Sequence, residues 1–433
     1  MRIFFSVGEP SGDHHGANLI RALQERRPEV ECVGYGGPLM AEAGCKLHFD
    51  LTSLAVMWLL RVILNIHKFL GLCAKADRYF RDERPDAVVL IDYPGFNWWI
   101  ARRAKARGIP VFYYTPPQIW GWASWRVKKM RRFVDHVLCS LPFEEKWFRD
   151  RGCNAHYIGH PYFDEVRRRQ LDQSFLKQLA AEGTGPLVTL LPGSRTQEVE
   201  HNLVDFLRAA QEIRAKVPRA RFAVAAFREH QAEHAKAVIA RLGLDTPVYV
   251  GRTPELIHAA TCCIACSGSV SLELLHHRKP TVIGYRVSKF GYAMQNFFRQ
   301  VPYITLVNLL STGRLERDRA AEARGESPLT DSRVLYPEFL TAEERSTEIG
   351  KQIADWLTDD AGRAEVVARL DRLCGEVGEA GASARGADYI VAALEPTEAT
   401  EPNGTSNGSS KPIARPHYLR AAQPTGRING SPR

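Results

Sequence analysis

The sequence predicts an α/β protein built from two doubly wound domains of similar size. Three observations carry that prediction. Short apolar runs with strand character alternate with helical stretches from Ile3 to Gly159. After a polar helical connection at 164–182 the alternation starts again and continues to Arg286. Turns rich in glycine and serine recur where strands give way to helices, the place at which open parallel sheets bind ligands. A chain of 433 residues is also too long for one ordinary core.

The first domain, 1–165, contains six strand-like runs: IFFSV (3–7), VECVGYG (30–36), AVVLID (87–92), VFYYT (111–115), HVLCSL (136–141) and HYIG (156–159). The second, 183–340, contains LVTLLPG (187–193), RFAVAAF (221–227), VYVG (248–251), CCIACSG (262–268) and TVIGYR (281–286). Helices near 196–216, 229–242, 254–260 and 270–278 complete its pattern, giving two Rossmann-like halves with a cleft between them. Residues 341–395 read as one or two helices rich in Ala, Glu and Arg. After Pro396 the composition turns to Pro, Gly, Ser, Thr and Asn, so 396–433 is expected to be a disordered tail. Sequons at Asn403 and Asn407 fall in that tail by accident if the chain is not exported.

Nine scattered cysteines, an odd number, give no disulfide framework. Cys263 and Cys266 form a CxxC without a second pair, and a buried strand explains them better than zinc. His14-His15 and His276-His277 are adjacent and therefore diverge on a helix, so no metal is expected. No basic and apolar leader precedes the first strand, so no secretory signal is expected, and no run of about 20 uncharged apolar residues predicts a membrane span.

The net charge is +9, and its placement is informative. No acidic residue lies between Asp92 and Asp135, where Arg102, Arg103, Lys105, Arg107, Arg126, Lys128, Lys129, Arg131 and Arg132 all fall. The aromatic residues Trp98, Trp99, Trp120, Trp122 and Trp125 are interleaved with them. A second acid-free window, 51–76, carries Arg61, Lys68 and Lys75 among large apolar residues such as Met57, Trp58, Leu59 and Ile63. A solvated basic face accounts for charge alone; with the aromatic and apolar residues added, an anionic membrane surface fits better. No nucleic-acid motif accompanies the bases, so no nucleic-acid partner is expected.

Four strand-to-helix turns hold the candidate chemistry. GEPSGD (8–13) lacks both the GxxxxGK[ST] and the GxGxxG patterns, so it is not a nucleotide loop of either kind. Gly8 and Gly12 permit a tight turn, Ser11 is a helix-cap candidate, and Glu9 and Asp13 suit sugar hydroxyls. In IDYPGFN (91–97), Asp92 ends a buried strand. Turn capping and general-base catalysis stand level for it on local evidence, and Asn97 is near enough to hold it or a substrate hydroxyl. In LLPGSRTQEVEHN (190–202), Arg195 at a helix start suits a diphosphate. In CSGSVSLELL (266–275), Ser267, Gly268 and Ser269 open a helix, and Glu273 is spaced to reach a ribose diol.

These turns, with GGPLMAEAG (36–44), LAVMWLL (54–60), YYTPPQIWGW (113–122), LPFE (141–144), IGHP (158–161) and PYITLVNLL (302–310), occur in an order that resembles lipid-A-disaccharide synthase. That family consists of glycosyltransferases of the GT-B fold, family 19, and the resemblance covers about residues 1–390. It implies transfer of 2,3-diacylglucosamine from UDP to 2,3-diacylglucosamine 1-phosphate, with inversion and without a metal. It implies that Asp92 is the base, with Glu9, Ser11, Gly12, Asp13 and Asn97 on the acceptor side. Arg195, Ser267, Gly268, Ser269, Glu273 and Asn308 fall on the donor side, and Met57, Trp58, Leu59 and Ile63 at the membrane. It further implies a peripheral enzyme on the cytoplasmic face of the inner membrane. The chain differs from the family at Gly95, usually aspartate, and at Trp58 and Arg61, usually glycine and glutamate. Oligomeric state stays open, a homodimer included. Two other readings stay open with it: another GT-B transferase acting on a lipid acceptor, and a lipid-binding relative without catalysis.

Overall fold

The computed structural model describes residues 1–55 and 66–395. Its frame is two parallel sheets. The first contains β1 (Arg2–Val7), β2 (Glu31–Gly36), β3 (Lys46–Asp50), β4 (Ala87–Ile91), β5 (Val111–Tyr114), β6 (His136–Cys139) and β7 (Ala155–Tyr157), in the order β3-β2-β1-β4-β5-β6-β7. The second contains β8 (Leu187–Leu191), β9 (Arg221–Ala226), β10 (Val248–Val250), β11 (Cys262–Ala265), β12 (Thr281–Arg286) and β13 (Glu338–Thr341), in the order β10-β9-β8-β11-β12-β13. In each sheet the strand order reverses once, between β1 and β4 and between β8 and β11. A crevice opens beyond the strand ends at such a point.

The central strands are covered on both faces, which is why they read as continuous apolar runs. Phe4, Val88 and Leu90 enter one core of the first sheet, while Phe5, Val89 and Ile91 enter the core on its other side. Cys262 and Cys263 split in the same way across the second sheet. All nine cysteines are buried and free.

Two strands escape the sequence reading, β3 and β13, and both are sheet edges. An edge strand needs only one apolar face, and in β3 exposed residues alternate with partly buried ones over five positions. β13 begins on Glu338, a carboxylate that a pattern of apolar residues does not count.

The C-terminal region departs further from expectation. It holds three helices, Ser346–Thr358, Asp360–Val377 and Ala382–Leu394. The first packs against the helix Thr196–Lys216 of the second half, through Ile349, Ile353 and Trp356. The last returns to the first half, where Ala387 and Ile390 join the β1–β4 core and Arg26 binds Asp388 at 3.0 Å. Asp164 accepts the Ser383 amide at 2.9 Å and fixes the start of that returning helix. Periodicity shows that a helix has an apolar face; it does not show which sheet the face meets.

Of the membrane-segment candidates, Met57, Trp58, Leu59 and Ile63 lie outside the described residues, as does the 396–433 tail. The rest of that segment continues into the helix Ile66–Asp82. Leu72, Cys73, Ala76 and Phe80 bury one side of it, while Ile66 and Leu70 stay more than half exposed. No helix among the described residues is long and apolar enough to cross a membrane.

Candidate active site

Two sites form, one at each switch point. At the first, β4 is followed by Asp92 and Tyr93, which both adopt the left-handed conformation at φ +45°. Residues with a Cβ rarely hold this conformation, and two in succession require support from outside the turn. That support is visible. The Asp92 carbonyl accepts hydrogen bonds from the Asn97 side-chain amide and the Tyr113 hydroxyl, each at 2.7 Å. Asn97 also donates to the Ser6 and Ile91 carbonyls, at 3.1 and 3.2 Å, and accepts from the Ser6 hydroxyl at 2.7 Å. It is fully buried and ties the ends of β1 and β4 together. Asn97 therefore shapes the backbone under Asp92, and its side-chain amide has no exposed donor left for an acceptor sugar.

The opening turn GEPSGD fits over this strained corner. A side chain at Gly8 would stand 2.3 Å from the Tyr93 ring, and one at Gly12 would stand 2.9 Å from Val7 and 3.7 Å from an Asp92 carboxylate oxygen. Both glycines are there because the first helix, Pro10–Arg26, starts in contact with the Asp92 turn.

Two expectations for this turn are corrected. Glu9, not Ser11, is the N-cap residue, and no side chain caps the helix; Ser11 is its second residue and is exposed. Asp13 is buried and accepts the amides of Gly37, Leu39 and Met40 at 2.9–3.1 Å. Its carboxylate caps the next helix, Pro38–Glu42, and so is spent on structure.

The Asp92 carboxyl is pushed up to about 7 by burial first, then by the charges of Glu9 and Glu144. Glu144 is buried too and likewise raised to about 7, by burial, although Trp120, Ser140 and Leu141 all donate to it. Glu9 and Glu144 thus act on Asp92 as negative charges that oppose its ionisation. A carboxylate that gains its proton near neutral pH is matched to proton transfer. Beside it, at the end of β5, Thr115 also has a positive φ, +51°, and its buried hydroxyl finds no partner among the described residues. Nothing in the local sequence marked Thr115.

The second site is a cavity of about 430 Å³ at the carboxyl ends of β8, β9, β10 and β11. Arg195, Ser267, Gly268, Ser269 and Glu273 all line it. Arg195 is an open guanidinium, 79% exposed, with Glu198 at 3.4 Å. The amides of Ser194 and Arg195 are already taken by Glu198, each at 3.1 Å, so this helix start offers fewer free donors than its sequence implies. Gly268 and Ser269 are exposed at the rim, while the Ser267 hydroxyl donates to the Ile304 carbonyl at 2.7 Å.

Glu273 is buried and held by the Tyr162 hydroxyl and the Arg169 guanidinium, each at 2.7 Å. Its carboxyl is raised by burial, with Arg169 opposing. Tyr162, near the end of the first half, and Arg169, in the connection, also line the cavity; no signal near 267–273 pointed to them. Phe227, 60% exposed, and the Gly251–Pro254 turn complete the wall. Both follow strands, so the strand-end rule marks them in retrospect.

Asn308, expected on the donor side, is not among the residues that line the cavity. It is fully buried outside the cavity, donating to Tyr336 and Glu338 and accepting the amides of Leu335 and Tyr336 at 3.1 and 3.0 Å. It is a clasp under β13, whose Glu338 is raised to about 7 by burial.

Comparison with known proteins decides the family. The family model described as lipid-A-disaccharide synthetase matches residues 3–336. The chain belongs to that family. It is 32% identical to lipid-A-disaccharide synthase of Myxococcus xanthus (strain DK1622) over 396 residues, covering 91% of this chain and 98% of the relative. It is 33% identical to the enzyme of the same name from Thiobacillus denitrificans over 389 residues, covering 90% and 99%. Among solved structures, it is similar to UDP-GlcNAc 2-epimerase from Neisseria meningitidis bound to UDP-GlcNAc, with TM-score 0.57, 11% identity and coverage of 91% and 99%. It is also similar to the calicheamicin glycosyltransferase CalG4, with TM-score 0.53, 14% identity and coverage of 91% and 98%. At such identities these two show the fold alone. The family makes the chain a glycosyltransferase of lipid A biosynthesis, so neither open alternative is favoured.

Proposed function

We propose that the chain transfers 2,3-diacylglucosamine from its UDP carrier to 2,3-diacylglucosamine 1-phosphate, giving the β-1′,6-linked disaccharide 1-phosphate and UDP. Family membership over nearly all of the chain carries the reaction. Asp92, with its raised carboxyl on a strained corner at the first switch point, supports the assignment of the base.

In this reading the ionised Asp92 carboxylate takes the proton of the acceptor 6-hydroxyl. The oxygen attacks the anomeric carbon from the face opposite UDP, the bond from that carbon to the diphosphate breaks, and configuration inverts. Glu9 and the exposed edge of Ser11 face the acceptor, while Asn97, Gly12 and Asp13 serve by shaping the turn. The leaving diphosphate is met by Arg195 and the amides around Ser267–Ser269, and Glu273 exchanges its Tyr162 and Arg169 contacts for ribose hydroxyls. No metal is assigned a step.

Exposed Trp99, Trp122 and Trp125 with the bases of 102–132 support peripheral binding to an anionic membrane. The cytoplasmic face of the inner membrane is the proposed location. Mass spectrometry of the products from purified protein, both lipid monosaccharides and no other component tests the reaction. A disaccharide 1-phosphate formed in step with UDP is the expected result. UDP release without it, or a changed monosaccharide, overturns the reading.

A further inference from the structure

The helix Lys289–Phe298 in the second half of the chain has no buried residue. It nevertheless carries Phe290, 76% exposed, Phe297, 69% exposed, and exposed Tyr292, Met294 and Phe298. Successive residues turn by about 100° on a helix, so Phe290, Met294 and Phe297 fall in one stripe with Phe298 at its edge. Gln295, on another side of the helix, is less exposed than any of them. Water thus meets the apolar side of this helix.

The helix is not loosely attached. The Ser288 hydroxyl accepts the Gly291 amide at 3.0 Å, and at the other end Arg317 and Arg319 donate to the Asn296 and Phe297 carbonyls at 2.8 and 2.6 Å. It is anchored by its termini and presents its apolar stripe outward, the reverse of a helix that packs a core.

We infer that this stripe is a second docking surface for an anionic lipid bilayer, contributed by the nucleotide-side half and continuous with the basic, tryptophan-rich face of the first half. Two observations commit it to lipid. The first is continuity: the Gln300 amide just past the helix donates to the Gly121 carbonyl at 2.9 Å, beside exposed Trp122. Arg126 stacks on Trp122 at 4.6 Å, and exposed Trp125 follows. The second is charge. No acidic residue occurs from Leu274 to Leu315, and Lys289 opens the helix. Arg126, Lys128, Lys129, Arg131 and Arg132 lie across the junction, with Lys128, Lys129, Arg131 and Arg132 exposed. Aromatic side chains bordered by bases match the interface of an anionic bilayer, apolar below and negatively charged above. Contact from both halves holds the junction between them against the surface on which diacylated sugars reside. This inference goes beyond the transfer reaction, and its evidence does not depend on Asp92 or the donor cavity.

The test compares the full chain with the F290S/F297S variant on sucrose-loaded vesicles of phosphatidylethanolamine and phosphatidylglycerol, without substrate. Both positions are exposed, so the denaturant midpoint should not move, and UDP affinity should equal that of the parent. Partition onto vesicles is expected to fall by about tenfold or more, since two aromatic side chains lose their apolar contact. A second variant, K128E/K129E, should weaken binding mainly at low salt. Parental vesicle binding by F290S/F297S overturns the inference. So does a shift from dimer to monomer in sedimentation without vesicles, which assigns the stripe to a second copy of the chain. Product analysis in detergent reads the transfer reaction separately, so failure of one reading leaves the other standing.

Discussion

The two switch points use the same topology for different chemistry. At the β1–β4 end, the backbone is strained, and the key carboxyl is raised by burial and further by the charges of neighbouring carboxylates. At the β8–β11 end, the key side chain is an open guanidinium over a cavity, and the carboxylate nearby is neutralised by Arg169. In the proposed reaction, one crevice stores the unfavourable free energy that a proton acceptor needs, and the other supplies positive charge to the diphosphate. The fold provides the position, and solvation decides the role.

The comparison breaks first at Asp92. Asp92→Asn keeps the shape of the side chain but cannot accept the proton, so turnover should fall by about two to four orders of magnitude. UDP affinity, read by calorimetry, should hardly change. Near-parental turnover would remove Asp92 from the base role and leave its strain without a catalytic purpose.

The same residue sets the pH dependence. Its folded carboxyl is raised to about 7, so kcat/KM should rise with pH through that value as the base ionises. The stability sign is opposite. A raised carboxyl favours the fold fully below its ordinary value, and that contribution is lost as pH rises through about 7. Asp92→Asn should therefore be more stable relative to the parent at pH 8 than at pH 4, in denaturant melts at the two values.

Asn308 sharpens the contrast between clasp and ligand contact. Asn308→Ala leaves two amides and a buried carboxylate short of partners, and should cost about 3 kcal/mol of stability. UDP affinity, measured where the variant remains folded, should stay within about twofold, because bonds at this burial shape the fold rather than meet a ligand. A loss of nucleotide binding without a loss of stability would return Asn308 to the donor site.

Arg195→Ala is the smaller and cleaner change at the second site. The side chain is exposed, so melting should not shift, while UDP affinity should drop by about tenfold through loss of a charge-assisted contact. The smallest expected effect is none: EDTA should leave product formation unchanged, since the proposed reaction gives the diphosphate to Arg195 and backbone amides. Loss of activity on chelation, restored by magnesium, would reverse that assignment.

Some of this was legible before any coordinate. Strands such as AVVLI and LVTLL are covered on both sides, so the sequence marks them without reference to a partner. Asp92 and Arg195 stood out because a charged residue at the end of such a run calls for a reason. The edge strands β3 and β13 lacked that contrast. Asp13, Asn97 and Asn308 carried the right chemical groups, but their hydrogen bonds run to amides and carbonyls as far as 91 residues away. Nothing in a local pattern separates a carboxylate that binds a sugar from one that caps a helix.

By itself, then, the sequence determined the two α/β halves, the turns that hold the chemistry and the family, because each is encoded in short-range pattern and residue type. Only the tertiary structure decided which polar groups were already satisfied, which side of Lys289–Phe298 met water, and that Ala382–Leu394 returned to the first sheet. Those outcomes depend on what distant segments bring to each side chain. Burial and hydrogen bonding are properties of that neighbourhood, and the neighbourhood exists only once the chain has folded.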